Sequence, residues 1–196
     1  MKIKVIFLTL LLSAALFTGC TNQNTGTDQN TPTPTVTTPA QTTSDNTTPD
    51  VVTTASIVDT EDAFLKAISK DGTWIICIIK DLTINQDLNL EGEFKNGKKD
   101  DDGQDIIQRK IALYSQDEER NITARYTLTA PKLTINSPKA SIQHGTFKGD
   151  LYVNVSDFEL VDATVDGNVY FTTEEAQSTF KMDDTSKVTG KQELQK

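Results

Sequence analysis

The sequence is poor in the residues that build metal centres and disulfides. It contains one histidine, two cysteines and one tryptophan among 196 residues. A single histidine excludes zinc sites with several histidine ligands, and any Ser-His-Asp triad would have to use His144. Basic charge is also scarce, with 19 Lys and Arg against 28 Asp and Glu and a formal net charge of −9. This balance argues against nucleic acid as a partner.

A short apolar run lies at the amino end of the chain. Residues 5–16 are almost continuously apolar, follow Lys2 and Lys4, and lead into the pentapeptide Leu-Phe-Thr-Gly-Cys at residues 16–20. The run is too short to span a membrane, and small residues precede Cys20. These 20 residues resemble the signal peptide and lipobox of bacterial lipoproteins, although Phe17 stands where leucine is commoner.

That resemblance implies an extracytoplasmic protein attached to the bacterial membrane through lipid on Cys20. The signal peptide, residues 1–19, would be removed, and two or more acyl chains on Cys20 would give stable anchoring. Ordinary secretion with cleavage nearby is the alternative. Loss of Lys2 and Lys4 would change the net charge from −9 to −11, which argues against a domain lying flat on anionic lipid. Cys77 would then have no disulfide partner, and we expect it to be buried as a small hydrophobe.

Residues 20–54 have the composition of a disordered tether. Threonine, asparagine, glutamine and proline dominate, and large apolar side chains are almost absent before Val51. Such a segment cannot build a core. A coil of this length reaches about 30 to 35 Å on average, which is enough to hold a folded domain away from the lipid.

The remaining chain, residues 55–196, contains an internal repeat. Residues 132–149, 150–167 and 168–190 align with one another, and the third repeat is longer by five residues. Glycine closes each repeat, and apolar residues recur in matching positions. The aligned columns are Leu133, Leu151 and Val169; Ile135, Val153 and Phe171; Ile142, Leu160 and Met182; and Phe147, Val165 and Val188.

A repeat of this length predicts a solenoid, in which each coil buries its apolar side by stacking on its neighbours. Within each repeat the apolar residues alternate with polar ones, as in short strands with one inward face. A left-handed hexapeptide helix would need apolar residues where Lys139 and Asp157 stand. We therefore predict an all-β, single-stranded right-handed parallel β-helix of about five or six coils. A twisted antiparallel sandwich is the alternative.

The start of this domain predicts a capping α-helix over about residues 60–70. Thr60 is a suitable N-cap, and Glu61 and Asp62 follow it in the first turn. The continuously apolar residues 74–79 predict a strand that is buried on both faces. A short amphipathic helix followed by a buried strand resembles the beginning of pectin-lyase-type β-helices, a likeness of architecture that carries no functional residue with it.

A polar excursion interrupts the domain at residues 91–109. Asn96 and Gly97 favour a tight turn. The acidic run from Asp100 to Asp105 partly matches an EF-hand loop, but Lys98 and Arg109 fall where acidic ligands belong. We predict a flexible solvated loop, with calcium binding as the alternative and no metal or cofactor assigned to the chain.

The candidate ligand-binding residues are aromatic and lie in the aligned repeats. Tyr152 and Tyr170 occupy the outward position between two inward apolar columns, and Asn136 and Asn154 flank them. Sugar C–H faces pack on aromatic rings, and amides bind sugar hydroxyls, so this surface is a candidate carbohydrate platform. The alternative is that stacked aromatic residues only stabilise neighbouring strands.

Three further residues are candidates for chemistry. His144 aligns with Asp162 in the next repeat, at a predicted spacing of about 4.8 Å. Asp162 and Asp166 would be the carboxylates to flank a glycosidic bond if the protein were a polysaccharide lyase or hydrolase. No catalytic signature stands out, so we expect a non-enzymatic binding or structural module at the cell surface. A self-assembling envelope scaffold is a second alternative, and the sequence leaves the oligomeric state open.

Overall fold

The structure, a computed structural model, describes residues 56–195. The signal peptide, Cys20 and the tether lie outside the described residues, and those predictions stay untested. Within the described range the chain is all-β with two short helices, α1 (Glu61–Ile68) and α2 (Glu174–Thr179). Neither helix is long and apolar enough to cross a membrane.

Most strands belong to two parallel sheets. In the first sheet the strand order is β1-β2-β7-β11-β13-β16, and every pair is parallel. These strands are β1 (Ser56–Val58), β2 (Ile75–Ile78), β7 (Arg109–Ala112), β11 (Ala140–Gln143), β13 (Glu159–Val161) and β16 (Lys181–Met182). This parallel pairing shows that the antiparallel sandwich is wrong for these sheets.

The second sheet is bent along two of its strands, β10 (Thr127–Ile135) and β12 (Thr146–Val153). The first half of β10 pairs with β3 (Leu82–Thr83) and with the first half of β12. The first half of β12 also pairs with β14 (Thr164–Asp166), which in turn pairs with β17 (Lys187–Val188). The second halves of β10 and β12 continue the sheet through β4 (Leu88–Leu90), β15 (Val169–Phe171) and β18 (Gln192–Leu194). Each strand position is thus used by successive passes of the chain.

The pairing register confirms the aligned repeats residue by residue. Leu133 pairs with Leu151, and Leu151 pairs with Val169. Phe147 pairs with Val165, which in turn pairs with Val188. In-register parallel pairing places equivalent positions directly beside one another, so the inward columns form a continuous core. Leu133, Leu151, Val169, Phe147 and Val165 are completely buried.

The corners between strands explain why polar residues interrupt the apolar pattern. Lys139 and Asp157 lie 18 positions apart in equivalent turns, and both have positive φ angles, 51° and 57°. His144 and Asp162 form a second such pair at 58° and 48°. Left-handed backbone at a single residue turns the chain sharply, and bulky β-branched residues resist that conformation. The hexapeptide pattern therefore fails at these positions for a structural reason.

Helix α1 has the predicted cap and is slightly shorter than predicted. Thr60 Oγ1 accepts a hydrogen bond from the Ala63 amide at 3.3 Å, and Glu61 and Asp62 lie in the first turn. The helix ends at Ile68 rather than near residue 70. Phe64, Ala67 and Ile68 are buried in the core.

The prediction that residues 74–79 are buried on both faces is wrong. In β2, burial alternates: Ile76 and Ile78 are completely buried, whereas Ile75 and Cys77 are only partly buried. Ile79, just after the strand, is 45% exposed. One face of β2 meets the core and the other is only partly covered, so Cys77 is not the fully buried hydrophobe that we expected.

Two antiparallel hairpins interrupt the parallel sheets. The polar excursion forms β5 (Lys95–Lys99) and β6 (Asp105–Ile107), with an exposed turn at residues 100–104. The tight turn predicted at Asn96 and Gly97 is therefore misplaced, since both residues lie within β5. The second hairpin joins β8 (Tyr114–Gln116) to β9 (Ile122–Arg125).

Helix α2 accounts for most of the extra length of the third repeat and was not predicted. Thr173 Oγ1 accepts from the Ala176 amide at 3.0 Å, and Ala176 is completely buried. Thr173, Glu174 and Glu175 have the same order of types as Thr60, Glu61 and Asp62 at α1. A threonine followed by two acidic residues was the local signal for both helices.

Candidate functional site

The predicted tyrosine pair forms on the outer face of the second sheet. Thr134 pairs with Tyr152, and Tyr152 pairs with Tyr170, so the three side chains lie in one column on β10, β12 and β15. The ring centroids of Tyr152 and Tyr170 are 4.9 Å apart, with 39° between the ring planes. Both residues are partly exposed, because their neighbours along the strand point inward.

An ammonium group completes one side of this surface. Lys132 Nζ lies 5.5 Å from the ring centroid of Tyr152 and forms an ion pair with Asp87 at 2.7 Å. Partial desolvation, followed by the negative charge of Asp150, raises the pKa of the Tyr170 phenol above its ordinary value. The Tyr170 phenol therefore stays protonated at neutral pH, where it can donate and accept hydrogen bonds.

The two asparagines lie in the same neighbouring column, as predicted. Asn154 Nδ2 donates to Asn136 Oδ1 at 2.7 Å, and both residues are exposed. One amide oxygen and one amide NH₂ group keep further hydrogen-bonding capacity toward solvent. We call the surface formed by Tyr152, Tyr170, Asn136 and Asn154, together with Lys132, the tyrosine platform.

Lys132 is the member of the platform that sequence reasoning missed. It is the first aligned residue of its repeat, two positions before Thr134, and side chains two apart on a strand share a face. The same periodicity that located the tyrosines would therefore have found it.

The predicted contact between His144 and Asp162 forms at a corner. His144 Nδ1 lies 3.0 Å from Asp162 Oδ2, and the Arg125 guanidinium also binds this carboxylate. The Tyr114 ring meets the His144 ring edge to face at 4.6 Å. Hydrogen bonds from His144, then from Arg125, lower the pKa of Asp162. A carboxylate held in its ionised form is suited to orienting a cation and not to donating a proton as a general acid.

Asp166 has different neighbours. It lies exposed at the end of β14, where Oδ1 accepts a hydrogen bond from Thr189 Oγ1 at 3.0 Å. Within residues 56–195, neither His144 nor Arg125 forms a hydrogen bond or ion pair with Asp166. Asp162 and Asp166 thus serve separate local arrangements, and their assignment as a pair of catalytic carboxylates stays an untested prediction.

Asp100 and Asp105, at the two ends of the acidic run, bind groups within the first hairpin. Asp100 Oδ1 accepts from the amides of Asp102 and Gln104 at 3.1 and 2.8 Å. Asp105 forms ion pairs with Lys95 and Lys99, and hydrogen bonds from these lysines lower its pKa. Within residues 56–195, no group of three or more His, Cys, Asp or Glu side chains could hold a metal ion.

Comparison with known proteins assigns no family to this chain. No protein-family model, curated protein or solved structure matches it.

Proposed function

We propose that this protein is a lipid-anchored, extracytoplasmic β-helix that binds carbohydrate on its outer surface without transforming it. The single observation that carries the glycan part is the outward pair of rings, Tyr152 and Tyr170, at 4.9 Å. Two tilted rings with amides on one side and an ammonium on the other match the amphipathic surface of a sugar, whose C–H groups pack on rings while its hydroxyls bind polar groups.

The fold proposed for this domain is a single right-handed parallel β-helix with about five or six coils. The strand orders support it, because the first sheet stacks six strands and each half of the second sheet stacks five. Right-handed crossovers are the rule for parallel strands in one sheet. Helix α1 packs on β1, β2 and β4 and would cover the first coil.

The proposed anchor is lipid on Cys20, which would make the membrane the first partner of this protein. The pentapeptide at residues 16–20 and the apolar run before it support this assignment. Replacement of Cys20 with serine should abolish incorporation of radiolabelled palmitate and release the protein from the membrane fraction. Labelling that persists in Cys20→Ser would contradict the proposal.

Binding is best tested on the soluble chain that starts at residue 20 and carries Cys20→Ser. Retention on immobilised neutral polysaccharides is measured while soluble sugar products are assayed in the same wells. We expect retention on one class of glycan with no products. Released oligosaccharides would instead support the enzyme alternative, and no retention on any glycan would contradict the carbohydrate proposal.

The matched variants separate binding from strand stabilisation. Tyr152→Ala combined with Tyr170→Ala removes both rings, whereas Tyr152→Phe combined with Tyr170→Phe keeps the rings and removes only the hydroxyls. We expect the alanine pair to lose binding by about tenfold or more, and the phenylalanine pair to lose much less. If the alanine pair lowers Tm but binds as well as the original chain, the rings are only a structural ladder.

A further inference from the structure

A shallow groove lies beside the tyrosine platform, at the bend of β12. Its volume is about 440 Å³, and it is open to solvent. The chain passes through the bend at Gly149, and the next coil passes at Gly167, with Lys148, Asp150 and Asp166 around them. This volume falls within the range of known ligand pockets, about 300 to 1,000 Å³.

Close backbone stacking leaves the groove lining without side chains at Gly149 and Gly167. Gly149 has φ of +144°, and a Cβ atom there would lie 1.9 Å from the Ala130 carbonyl oxygen. A Cβ atom on Gly167 would lie 2.0 Å from the carbonyl oxygen of Gly149. Both positions therefore require glycine for packing, and a bare strip between charged rims is the consequence.

The charged side chains at the rim of the groove keep hydrogen-bonding capacity toward solvent. Lys148 and Asp166 are register partners on β12 and β14, and both are exposed. In the described part of the chain Lys148 has no ion pair, and Asp166 accepts one hydrogen bond, from Thr189. On the far rim, Asp150 Oδ1 accepts from the amide and side chain of Asn168 at 3.0 and 2.9 Å. The groove thus offers a free ammonium and carboxylate oxygens to a ligand.

The groove and the tyrosine platform lie on the same two passes of the chain. Lys148 and Tyr152 are four positions apart on β12, and Asp166 at the end of β14 is four positions before Tyr170 on β15. At about 3.3 Å per residue, the two surfaces are at most about 13 Å apart. A polymer lying on the two rings would reach the groove with its next units.

We infer that this groove is a second subsite of the proposed carbohydrate site and selects an uncharged, hydroxyl-rich glycan over an acidic one. This inference rests on the proposed function. Carboxylates accept hydrogen bonds from sugar hydroxyls and Lys148 donates them, so a neutral chain satisfies both rims. A polyuronic chain would place its own carboxylates beside Asp150 and Asp166 in a protein whose formal net charge is already −9.

The test compares short and long ligands on the full soluble chain with Cys20→Ser. Calorimetry measures binding of cellobiose and cellohexaose, with hexagalacturonate as the acidic ligand. The groove variants are Asp166→Ala and Lys148→Ala. Asp101→Ala is the matched control, since Asp101 is exposed in the first hairpin and its carboxylate forms no hydrogen bond or ion pair within residues 56–195.

We expect each groove variant to weaken cellohexaose binding about fivefold to tenfold and to leave cellobiose binding and Tm unchanged. The control should match the original chain, and hexagalacturonate should bind much more weakly than cellohexaose. Unchanged cellohexaose affinity in both groove variants, or equal binding of hexagalacturonate, would overturn this inference and leave the platform proposal intact. Failure of the original chain to bind either neutral ligand, together with no retention on any immobilised glycan, would overturn both.

Discussion

The first strands of this domain and its aligned repeats are built from the same parallel pairing but are held together by different contacts. In residues 132–190, equivalent side chains stack in columns, so each strand makes similar side-chain contacts with the next strand in its sheet. In residues 56–112, one buried arginine joins several segments. Arg109 donates to the carbonyls of Ala67, Ser69 and Glu91 at 2.7, 3.1 and 2.9 Å.

This difference shows how a repeat protein can begin. A strand inside a sheet has parallel neighbours on both sides, whereas helix α1 must be attached to the first strands without a repeat partner. Arg109 is completely buried, lies 3.7 Å from the Phe94 ring centroid, and satisfies carbonyls at the end of the helix. Burial lowers its pKa to about 10, so it stays charged at neutral pH. The repeats are held together by recurring apolar contacts, whereas at the start Arg109 adds hydrogen bonds between segments to the apolar packing of Phe64 and Ile68.

The largest effect is expected at that residue. Arg109→Met should reduce the free energy of unfolding by about 3 to 5 kcal/mol, because three carbonyl oxygens lose their donor. Arg109→Lys keeps the charge but not the planar fork, and should lose less. Urea denaturation measures both variants. Equal stability of Arg109→Met and the original chain would show that the hydrogen bonds of Arg109 are not needed to hold α1 on the first strands.

The repeats should be most sensitive where their backbones touch. Gly167→Ala places a Cβ atom 2.0 Å from the Gly149 carbonyl oxygen, and we expect a loss of about 1 to 3 kcal/mol. Gly103→Ala is the control, because a Cβ atom there meets nothing within 4 Å, although its φ of +77° still imposes a smaller backbone cost. If Gly103→Ala lowers Tm more than Gly167→Ala does, close backbone stacking is not what makes the repeats sensitive to substitution.

The N-caps of the two helices allow the same substitution to be compared in the two regions. Thr60→Ala and Thr173→Ala each remove one side-chain acceptor from a helix start and should cost about 1 kcal/mol. Hydrogen exchange should show faster exchange near Ala63 in the first variant and near Ala176 in the second, with little change in the other helix. Faster exchange throughout the domain in either variant would contradict local capping.

The smallest effect is expected at the corner that holds His144. Asp162 has a pKa below its ordinary value of 3.8, so its ionised form stabilises the fold. That contribution is present above the ordinary pKa and is lost as pH falls through the lowered pKa. Asp162→Asn should therefore cost less than about 1 kcal/mol at pH 7, since the site is solvent-accessible, and nothing at strongly acidic pH. An equal loss at both pH values would assign the effect to packing rather than charge.

The aligned repeats could be predicted because their period needs no knowledge of distant contacts. Parallel in-register stacking brings equivalent positions together, so the columns containing Leu151 and Val165, and the neighbouring positions of Tyr152 and Tyr170, followed from spacing alone. The caps at Thr60 and Thr173 carry equally local signals, although only the first was recognised. Local chemistry and a repeated spacing thus decide the strand register and the tyrosine platform.

Contacts between unlike segments were decided only by the tertiary structure. Arg109 lies 40 or more residues from Ala67 and Ser69, and Arg125 lies 37 residues from Asp162. Helix α1 and the residues just after it have no equivalent in the aligned repeats, and Arg125 belongs to a hairpin that interrupts the parallel sheets, so the repeat alignment did not predict these contacts. The partial exposure of one face of β2 also depends on distant contacts. The apolar residues 75–79 indicate a strand, but only the arrangement of neighbouring elements determines which face is covered. The sequence therefore specified which segments repeat and how their strands align. The contacts between the repeats and the unrepeated segments depend on the tertiary structure, because burial depends on neighbours that spacing alone does not specify.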